Sequence, residues 1–315
     1  MSRLAEFLST EASFPLPLGG RIGDGEVAGY YIDMRAKAPA PSFPDDLRGT
    51  GDVNWDAVAQ WALGAWEHHL GEGGDARLAA MRDAGDHLVA HQQSDGGFVH
   101  TYLLGHTFPL LPPSLSAMAQ GQCASVLVRL HRATGEDAYA QAALRALEPL
   151  YVATRDGGTR ADLHGGPWLE EYPTDPPSFV LNGGLFAIWG LYDAALGLGD
   201  ERARSEWEAC AETFTRNVHR WDLGWWSRYD LFPHPVLPNV ASIAYHALHT
   251  NQLRAMQVIR PRPEVARVLA RFERYSASRI ARASGFAGKS AFRLVVPRNQ
   301  RLARVWPGPV RAALR

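Results

Sequence analysis

The residues best suited to hold a polar ligand lie in three proline-rich segments, at 111–122, 170–183 and 229–239. Each segment ends in small or polar residues that begin a helix, and the three are spaced almost evenly. A chain that repeats one kind of loop gathers those loops at one end of a repeated scaffold. Because binding and catalytic residues are common on such loops, the spacing predicts one site built from all three segments.

Polar side chains occupy one face of each helix that follows these segments. An inner helix of a packed scaffold is expected to be apolar, so polar groups and glycines in its first turns predict a cavity for polar ligand groups. The polar positions are Ser116, Gln120 and Cys123 in one helix, Asn182 beside two glycines in the next, and Tyr245, His249 and Gln252 in a third.

Other kinds of site are not indicated. His246 and His249 alone form a weak metal pair, and no wider set of ligands has metal-binding spacing, so no metal is expected. The chain has no glycine-rich phosphate loop and no nucleophile elbow. Taken singly, Asn182 and Asn239 could be helix caps, and the two histidines could be hydrogen-bonded core residues.

Helical periodicity runs through most of the chain. Asp75, Asp137 and Asp200 lie 62 and 63 residues apart, each where a helix cap is wanted. Two helices per period predict an all-α fold of about four stacked hairpins, closed into an incomplete α/α toroid; an open solenoid would show the same period. The apolar stretches are 54–70, 75–92, 115–133, 137–152, 182–196, 200–218, 240–257 and 263–282.

Three parts of the chain differ in composition. Residues 1–50, rich in Gly and Pro, predict an extended N-terminal arm, and small β-hairpin-like loops are expected between helices. Residues 51–283 form the predicted toroid and catalytic domain, and 284–315 a basic C-terminal tail. The 315 residues, 46% of them hydrophobic, can bury a large core. Cys123 and Cys210 fall in predicted helices and are expected to be buried thiols, not a disulfide.

Charge is distributed unevenly along the chain. The net charge is −1, yet residues 260–315 carry 14 Lys and Arg against two acids. Such an end could face an anionic polysaccharide, a nucleic acid or a membrane surface, or be a solvated face. The first residues lack a sustained apolar segment, and no 18-residue apolar run occurs. We therefore expect a soluble, cytoplasmic protein without a transmembrane segment.

Five motifs, in this order and over about residues 110–280, resemble the helical C-terminal domain of the D-glucuronyl C5-epimerase family. The resemblance implies an incomplete α/α toroid with a tyrosine-rich cleft, working as a homodimer on a uronate-containing polysaccharide or oligosaccharide without a cofactor. The motifs are Ser116–Gln122, Glu170–Pro173 followed by Ser178–Gly183, Gly190–Asp193, Tyr229–Leu231 and Tyr245–Leu253.

The activity implied by this resemblance is inversion of C5 in a glucuronate residue. A base removes the proton next to the carboxylate, and an acid on the opposite face returns one. The resemblance implies that Tyr172, Tyr229 and Tyr245 flank the sugar and that Glu171 tunes Tyr172 or holds the sugar. The implied substrate-binding residues are Met118, Gln120, Gln122, Asn182, Phe186, Arg228, Asn239, His246 and His249.

One position departs from the family pattern. Phe232 stands where animal members have an arginine that meets the substrate carboxylate. Arg228 and His234 are alternative sources of positive charge, although Arg228 adjoins Tyr229 and neighbours in a strand point to opposite faces. Animal members also carry a β-rich N-terminal part and a membrane anchor that are not seen here. We therefore expect a bacterial, heparosan-like intermediate on the cytoplasmic side as the substrate.

Two other functions remain open at this stage. A polysaccharide lyase would eliminate the C4 substituent from the same carbanion, and a non-catalytic toroid would only bind acidic glycans. Binding alone does not need Glu171 together with three tyrosines, which favours an enzyme. A nucleic-acid partner is not expected, because the arginine-rich tail has no recognised reading module beside it.

Overall fold

The helices are close to the lengths that periodicity predicts. The computed structural model describes residues 16–23, 27–49, 52–103, 105–296 and 298; the outer parts of the predicted arm and tail, 1–15 and 299–315, lie outside them. The protein is all-α. Its hairpin helices are α1 (Trp55–Glu72), α2 (Asp75–His91), α3 (Ala117–Thr134), α4 (Asp137–Tyr151), α5 (Leu181–Gly197), α6 (Glu201–Asn217), α7 (Ile243–Ile259) and α8 (Pro263–Ala277).

The odd-numbered helices form one layer and the even-numbered helices a second. Helix α1 packs on α3, α3 on α5, and α5 on α7. Each even-numbered helix packs on the odd-numbered helix that precedes it. Short loops join the two helices of each hairpin, and longer loops join one hairpin to the next. The longer loops therefore precede α3, α5 and α7, where the sequence places the site. Curvature of this row into an incomplete toroid stays a prediction.

The helix starts correct two details of the sequence analysis. Asp200 does cap α6, since its carboxylate accepts a bond of 2.7 Å from the N–H of Ala203. The same prediction was wrong for Asp75 and Asp137, each of which is the first residue inside its helix. An acidic residue is favoured at either position because the helix dipole stabilises negative charge throughout the first turn.

Helix α8 ends five residues earlier than the apolar stretch at 263–282. Ser278 follows it, and its hydroxyl accepts a bond of 3.2 Å from the N–H of Ala281, so a further helix, α9 (Arg279–Val295), begins at once. The predicted boundary at 283–284 thus falls inside α9. The start of the predicted basic tail is an ordered element that packs on α7 and α8.

Glycines allow α3 and α5 to approach closely. A Cβ on Gly121 would lie 2.6 Å from the Cα of Ala187, and one on Gly190 would lie 2.4 Å from the carbonyl oxygen of Gly121. Real Cβ atoms do not tolerate such distances, so these backbones touch only because side chains are missing. The N-terminal part of α3 is thereby held against the middle of α5.

A buried ion pair ties the described part of the arm to these two helices. Arg129 of α3 and Asp193 of α5 are both fully buried and form a bond of 2.6 Å. The hydroxyl of Tyr31 donates to the same carboxylate at 2.7 Å, and Arg129 donates to the carbonyl of Gly29 at 2.9 Å. Residues 29–31 of the arm are therefore fixed by the charges of the helical core.

The small sheet positions the second proline-rich segment. Strands β1 (Arg160–Asp162) and β2 (Pro167–Leu169) pair antiparallel, as a β-hairpin-like loop should. Trp168 of β2 lies on the first turn of α5, because a Cβ on Gly184 would come within 2.1 Å of its indole. Glu170 and Glu171 follow β2 directly and so reach the beginning of α5.

Two further expectations concern cysteines and membranes. Cys123 and Cys210 are both free and buried, as predicted. Among the helices of the described ranges, none combines the length and apolar character needed to cross a bilayer.

Candidate active site

Glu170 fixes the loop that carries the first candidate tyrosine. Its carboxylate accepts bonds from the N–H of Ser178 at 2.8 Å and of Phe179 at 3.1 Å, and from the Ser178 hydroxyl. Its carbonyl accepts a bond of 3.0 Å from Ala117 at the start of α3. Burial raises the pKa of Glu170 to about 7. These bonds join Glu170 to the loop at Ser178 and Phe179 and to the start of α3. Glu170 therefore holds the loop against α3.

Glu171 is the buried carboxyl group of the site. Only 5% of the residue is exposed, and it lies over the first turn of α5, where a Cβ on Gly183 would come within 2.2 Å of its Oε2 atom. That oxygen has no hydrogen-bond partner among the described residues. Burial raises the pKa of Glu171 to about 8, and the negative charge of Asp56 adds to the rise. At neutral pH the group is therefore mainly a neutral acid.

Tyr172 is held between Glu171 and two aromatic rings. Its hydroxyl forms a hydrogen bond with the Glu171 side chain. The rings of His106 and Phe108 lie 4.7 and 4.9 Å from the Tyr172 ring, measured between centroids. Burial, followed by the charge of Glu171, raises the pKa of Tyr172 well above its ordinary value. Tyr172 is partly exposed.

Tyr229 and Tyr245 form a second aromatic pair. Their ring centroids lie 4.9 Å apart at an angle of 79°. The main chain of Tyr229 accepts a bond of 3.1 Å from Leu181, which ties it to the start of α5. Burial raises the pKa of both tyrosines, but a hydrogen bond from Tyr229 opposes the rise at Tyr245, whose pKa reaches about 12. Tyr245 is thus easier to ionise than Tyr229.

Glu171 and the three tyrosines lie close together. The charge of Glu171 raises the pKa of Tyr172, Tyr229 and Tyr245 alike, and the charge of Tyr245 raises that of Tyr172. They come from three segments: Glu171 and Tyr172 from the loop after β2, Tyr229 from the loop before α7, and Tyr245 from the first turn of α7. The arrangement places three weakly acidic phenols beside the buried carboxyl group of Glu171.

Asn239 connects two charges beside Tyr229. Its amide nitrogen donates to Oδ2 of Asp230 at 2.5 Å, and its amide oxygen accepts a bond of 2.8 Å from Nζ of Lys289. Asp230 is fully buried and also pairs with His234 at 3.2 Å. Asn239 is therefore not a helix cap: Ser242 caps α7. Its amide positions the lysine of α9 next to Tyr229.

The two predicted histidines differ in what they offer a ligand. The Nε2 atom of His246 lies 3.1 Å from the carbonyl of Phe272 and must carry the proton there. Its Nδ1 atom then accepts a bond of 2.8 Å from Ser227, whose oxygen in turn accepts one of 3.2 Å from Nδ1 of His249. Burial lowers the pKa of His246 to about 4. Both ring nitrogens of His246 thus have partners within the protein. This favours the interpretation of His246 as a hydrogen-bonded core residue.

His249 presents a lone pair at Nε2, since its proton lies on Nδ1. That atom is buried and has no partner in the described part of the chain. Near it, Gln252 donates to the carbonyl of Asn182 at 3.0 Å, while Oε1 of Gln252 and Oδ1 of Asn182 are likewise buried and unpartnered. A buried polar atom without a partner costs about 1–3 kcal/mol. Hydroxyl groups of a ligand are suited to bind these acceptors.

Asn182 and Arg228 lie next to residues of the cluster, Asn182 at the start of α5 and Arg228 in the loop before α7. Asn182 is the second residue of α5, which follows Val180, so it does not cap that helix. Arg228 is half-buried, and its main chain donates to Trp221 at 2.8 Å. Burial lowers the pKa of Arg228, and its Nε atom has no partner among the described residues.

The remaining predicted residues make structural contacts. The Gln120 amide accepts a bond of 2.6 Å from Phe98 and donates to Gly96 and Ala146, so it ties a loop to α4. The Phe186 ring stacks in the core. Gln122, fully buried, accepts a bond of 3.3 Å from Gln60. Met118 is buried at the start of α3.

Several residues at the site were not found from the sequence. Lys289 is one of two lysines in a chain with 32 Lys and Arg, a usage that could have drawn attention to it. Asp230 lies inside a motif that was noted only for its tyrosine. His100, fully buried, lies 3.5 Å from Asp56, and no periodicity or motif indicates that pair. Within the described ranges, no group of three or more potential ligands is arranged to hold a metal ion.

The structure defines a class: an all-α protein of stacked hairpins with a glutamate and tyrosine site where three of its helices begin. Residues 94–274 match the model of the family described as D-glucuronyl C5-epimerase C-terminus. The chain belongs to this family. The family model ends within α8, so α9 and Lys289 lie outside the matched region.

Two relatives illustrate the similarity. The chain is 35% identical over 193 residues to D-glucuronyl C5-epimerase of Caenorhabditis elegans, which covers 56% of this chain and 31% of that protein. It is 26% identical over 122 residues to an uncharacterized protein of Methanocaldococcus jannaschii, covering 38% and 40% of the two chains. The chain thus matches less than half the length of either relative.

Proposed function

We propose that this chain is a uronyl C5-epimerase that inverts C5 of glucuronate-type residues in a glycan. The observation that carries the proposal is the cluster of Glu171 with Tyr172, Tyr229 and Tyr245, which lies in the family-matched region. Inversion requires one group that removes the C5 proton and another that supplies a proton to the opposite face. Weak acids on separate structural elements suit this demand.

Tyr245 is the base in the direction from glucuronate to iduronate, acting as the phenolate that remains once its own proton has passed to solvent. Its pKa of about 12 is the least raised of the three, because Tyr229 donates a hydrogen bond to its oxygen. Removal of the C5 proton leaves an enediolate whose charge spreads onto the carboxylate. Tyr172, hydrogen-bonded to Glu171, donates its own phenolic proton to C5 from the other side, and its phenolate then takes a proton from solvent. The reverse reaction exchanges the two roles.

Glu171 keeps the site free of a competing negative charge. Because burial raises its pKa to about 8, the group is mainly protonated at neutral pH and does not repel the uronate carboxylate. Asn182, Gln252 and His249 bind the sugar hydroxyls through their unpartnered acceptors. Gln120, Phe186 and His246 stay proposed as substrate-binding residues, and their contacts also keep the surrounding helices in place.

The ionisation of Glu171 gives a prediction about pH. As the pH rises, more Tyr245 becomes phenolate and kcat/KM should rise; above about 8, Glu171 loses its proton and its charge opposes both the phenolate and the substrate, so this rise should become shallower. Glu171→Gln is neutral at every pH. It should keep activity within about tenfold at neutral pH, and its kcat/KM should rise with pH without this change of slope. Initial rates across the pH range measure both, and inactivity of the variant at every pH would show that the ionised carboxylate is needed.

Product analysis tests the proposed activity. Uronate oligosaccharides are incubated with the protein, and the C5 configuration is read by NMR while near-ultraviolet absorbance is followed. An epimer without new absorbance is expected. A C4–C5 double bond would instead identify a lyase acting through the same carbanion, and binding without any chemical change would identify a glycan-binding protein.

Further parts of the proposal rest on the sequence and the resemblance. They are a homodimer, a cytoplasmic location and a bacterial, heparosan-like glycan as the substrate. Light scattering coupled to size-exclusion chromatography measures the mass of the protein in solution and tests whether it is a dimer. A panel of oligosaccharides that differ in backbone linkage and in sulfation, assayed for C5 inversion, tests the glycan.

A further inference from the structure

A uronate site needs a positive charge near the tyrosines. The substrate brings one carboxylate, and the reaction places more negative charge on it, so a cation or strong donors must face that group. His234 does not supply this charge, because it pairs with Asp230 at 3.2 Å and both side chains are almost fully buried. Phe232 contributes an aromatic ring, which packs edge-on to Phe108 at 5.6 Å.

Lys289 brings a cation to the tyrosine pair. The residue is 8% exposed, and its Nζ atom lies 5.4 Å from the centre of the Tyr229 ring. Its charge also reaches His249, whose pKa it helps to lower. Taking an ammonium group out of water is costly unless it is paired or bonded, so the groups that contact Lys289 fix where its charge lies.

The contacts of α9 account for the position of Lys289. One face of the helix is buried and consists of Gly285, Lys289 and Phe292, at i, i+4 and i+7. A Cβ on Gly285 would lie 2.5 Å from the indole of Trp226, so the helix touches the residues just before Tyr229. Phe292 packs edge-on to His234 at 4.8 Å. The helix is thus fixed at both ends of this face, with Lys289 between the two contacts.

Asn239 and Asp230 orient the ammonium group. Nζ of Lys289 donates to Oδ1 of Asn239 at 2.8 Å, and the other side of that amide donates to Asp230. The carboxylate therefore favours the amide orientation that turns an acceptor toward the lysine. Other cations reinforce the field: Arg293 and Arg298 lower the pKa of Tyr245.

We propose that Lys289 of α9 binds the carboxylate of the uronate next to Tyr229, positioned by Asn239 and Asp230. The proposal rests on the proposed function, because it assumes a uronate in the tyrosine cluster. It assigns to the segment outside the family-matched region a part of the substrate site. An ammonium group at this place neutralises the carboxylate in the ground state and the enediolate that forms from it.

The test compares two ligands and three variants. The ligands are a uronate oligosaccharide and the same oligosaccharide with its carboxylates reduced to alcohols. The variants are Lys289→Met, which removes the charge and keeps much of the apolar stem, Lys289→Arg, which keeps a charge, and Arg282→Met, a control on the exposed face of α9. Affinity is measured by calorimetry, kcat and KM by product analysis, and folding by thermal unfolding.

Wild-type protein and Arg282→Met should bind the uronate about 10–100-fold more tightly than its reduced counterpart. Lys289→Met should bind the two ligands equally and lose kcat/KM, and Lys289→Arg should restore part of both. Discrimination retained in a folded Lys289→Met protein would overturn the proposal while leaving the epimerase intact. Wild-type protein that binds neither ligand would instead reject the proposed function itself, and Lys289 as its carboxylate site with it.

Discussion

Replacing Tyr245 with phenylalanine should lower the rate of C5 proton exchange by about 10²–10⁴-fold, the usual contribution of a general acid–base group. The substitution removes only the hydroxyl. The Tyr245 ring packs at 4.9 Å on Tyr229, so this contact and the start of α7 should survive. KM should change little, because the lost group acts on the proton and not on the sugar hydroxyls.

A matched control for this prediction is Tyr192→Phe. Tyr192 is partly exposed on α5, where its ring packs at 4.6 Å on Trp207, and it belongs to no part of the proposed site. In Tyr192→Phe, the rate of C5 proton exchange should stay within about twofold of the wild-type rate. Exchange is read as deuterium gained by the substrate in heavy water. If Tyr245→Phe exchanged the proton at the wild-type rate, Tyr245 would not be the base.

Removing the charge of Arg129 should lower the free energy of unfolding by about 3–5 kcal/mol, the usual cost of breaking a buried ion pair. Arg129→Met would leave the fully buried Asp193 with the Tyr31 hydroxyl, at 2.7 Å, as its remaining polar contact of this network. The arm would also lose the bond from Arg129 to Gly29. Urea unfolding followed by circular dichroism measures the change.

Two further variants separate charge from packing at this ion pair. Arg132→Met removes an exposed arginine from the same helix and should change the free energy of unfolding by less than about 0.5 kcal/mol. The double variant Arg129→Met with Asp193→Leu replaces both charges by apolar groups and should regain most of the loss. A loss below about 1 kcal/mol in Arg129→Met alone would show that Asp193 reaches solvent or another donor.

The helices were predictable because their signal is local. Apolar residues that recur every three or four positions locate a helix such as Leu181–Gly197 to within a residue at each end. Breaks without a turn residue were not visible: Ser278, which separates α8 from α9, sits among residues that favour helix. Asp75 and Asp137 were displaced by one position, since negative charge is favoured both at the cap and inside the first turn.

The site was predictable only in part because its partners are distant in sequence. The tyrosines follow from the resemblance, and the structure brings them together with Glu171. His246 has a partner 26 residues away, in the carbonyl of Phe272, and Lys289 has one 50 residues away, in Asn239. Neither contact produces a repeating pattern in the sequence. Only the packing of α8 and α9 brings His246 to Phe272 and Lys289 to Asn239.

The central claim is that the tyrosine cluster removes the C5 proton of a uronate and supplies another, derived from solvent, to the opposite face. The measurement that tests it most directly is deuterium incorporation at C5 of uronate oligosaccharides in heavy water, followed by NMR and mass spectrometry. We expect deuterium at C5 of the inverted product, with no loss of the C4 substituent. An inverted product that keeps its original hydrogen at C5, or a panel of uronates that bind the site without any exchange, would contradict the claim.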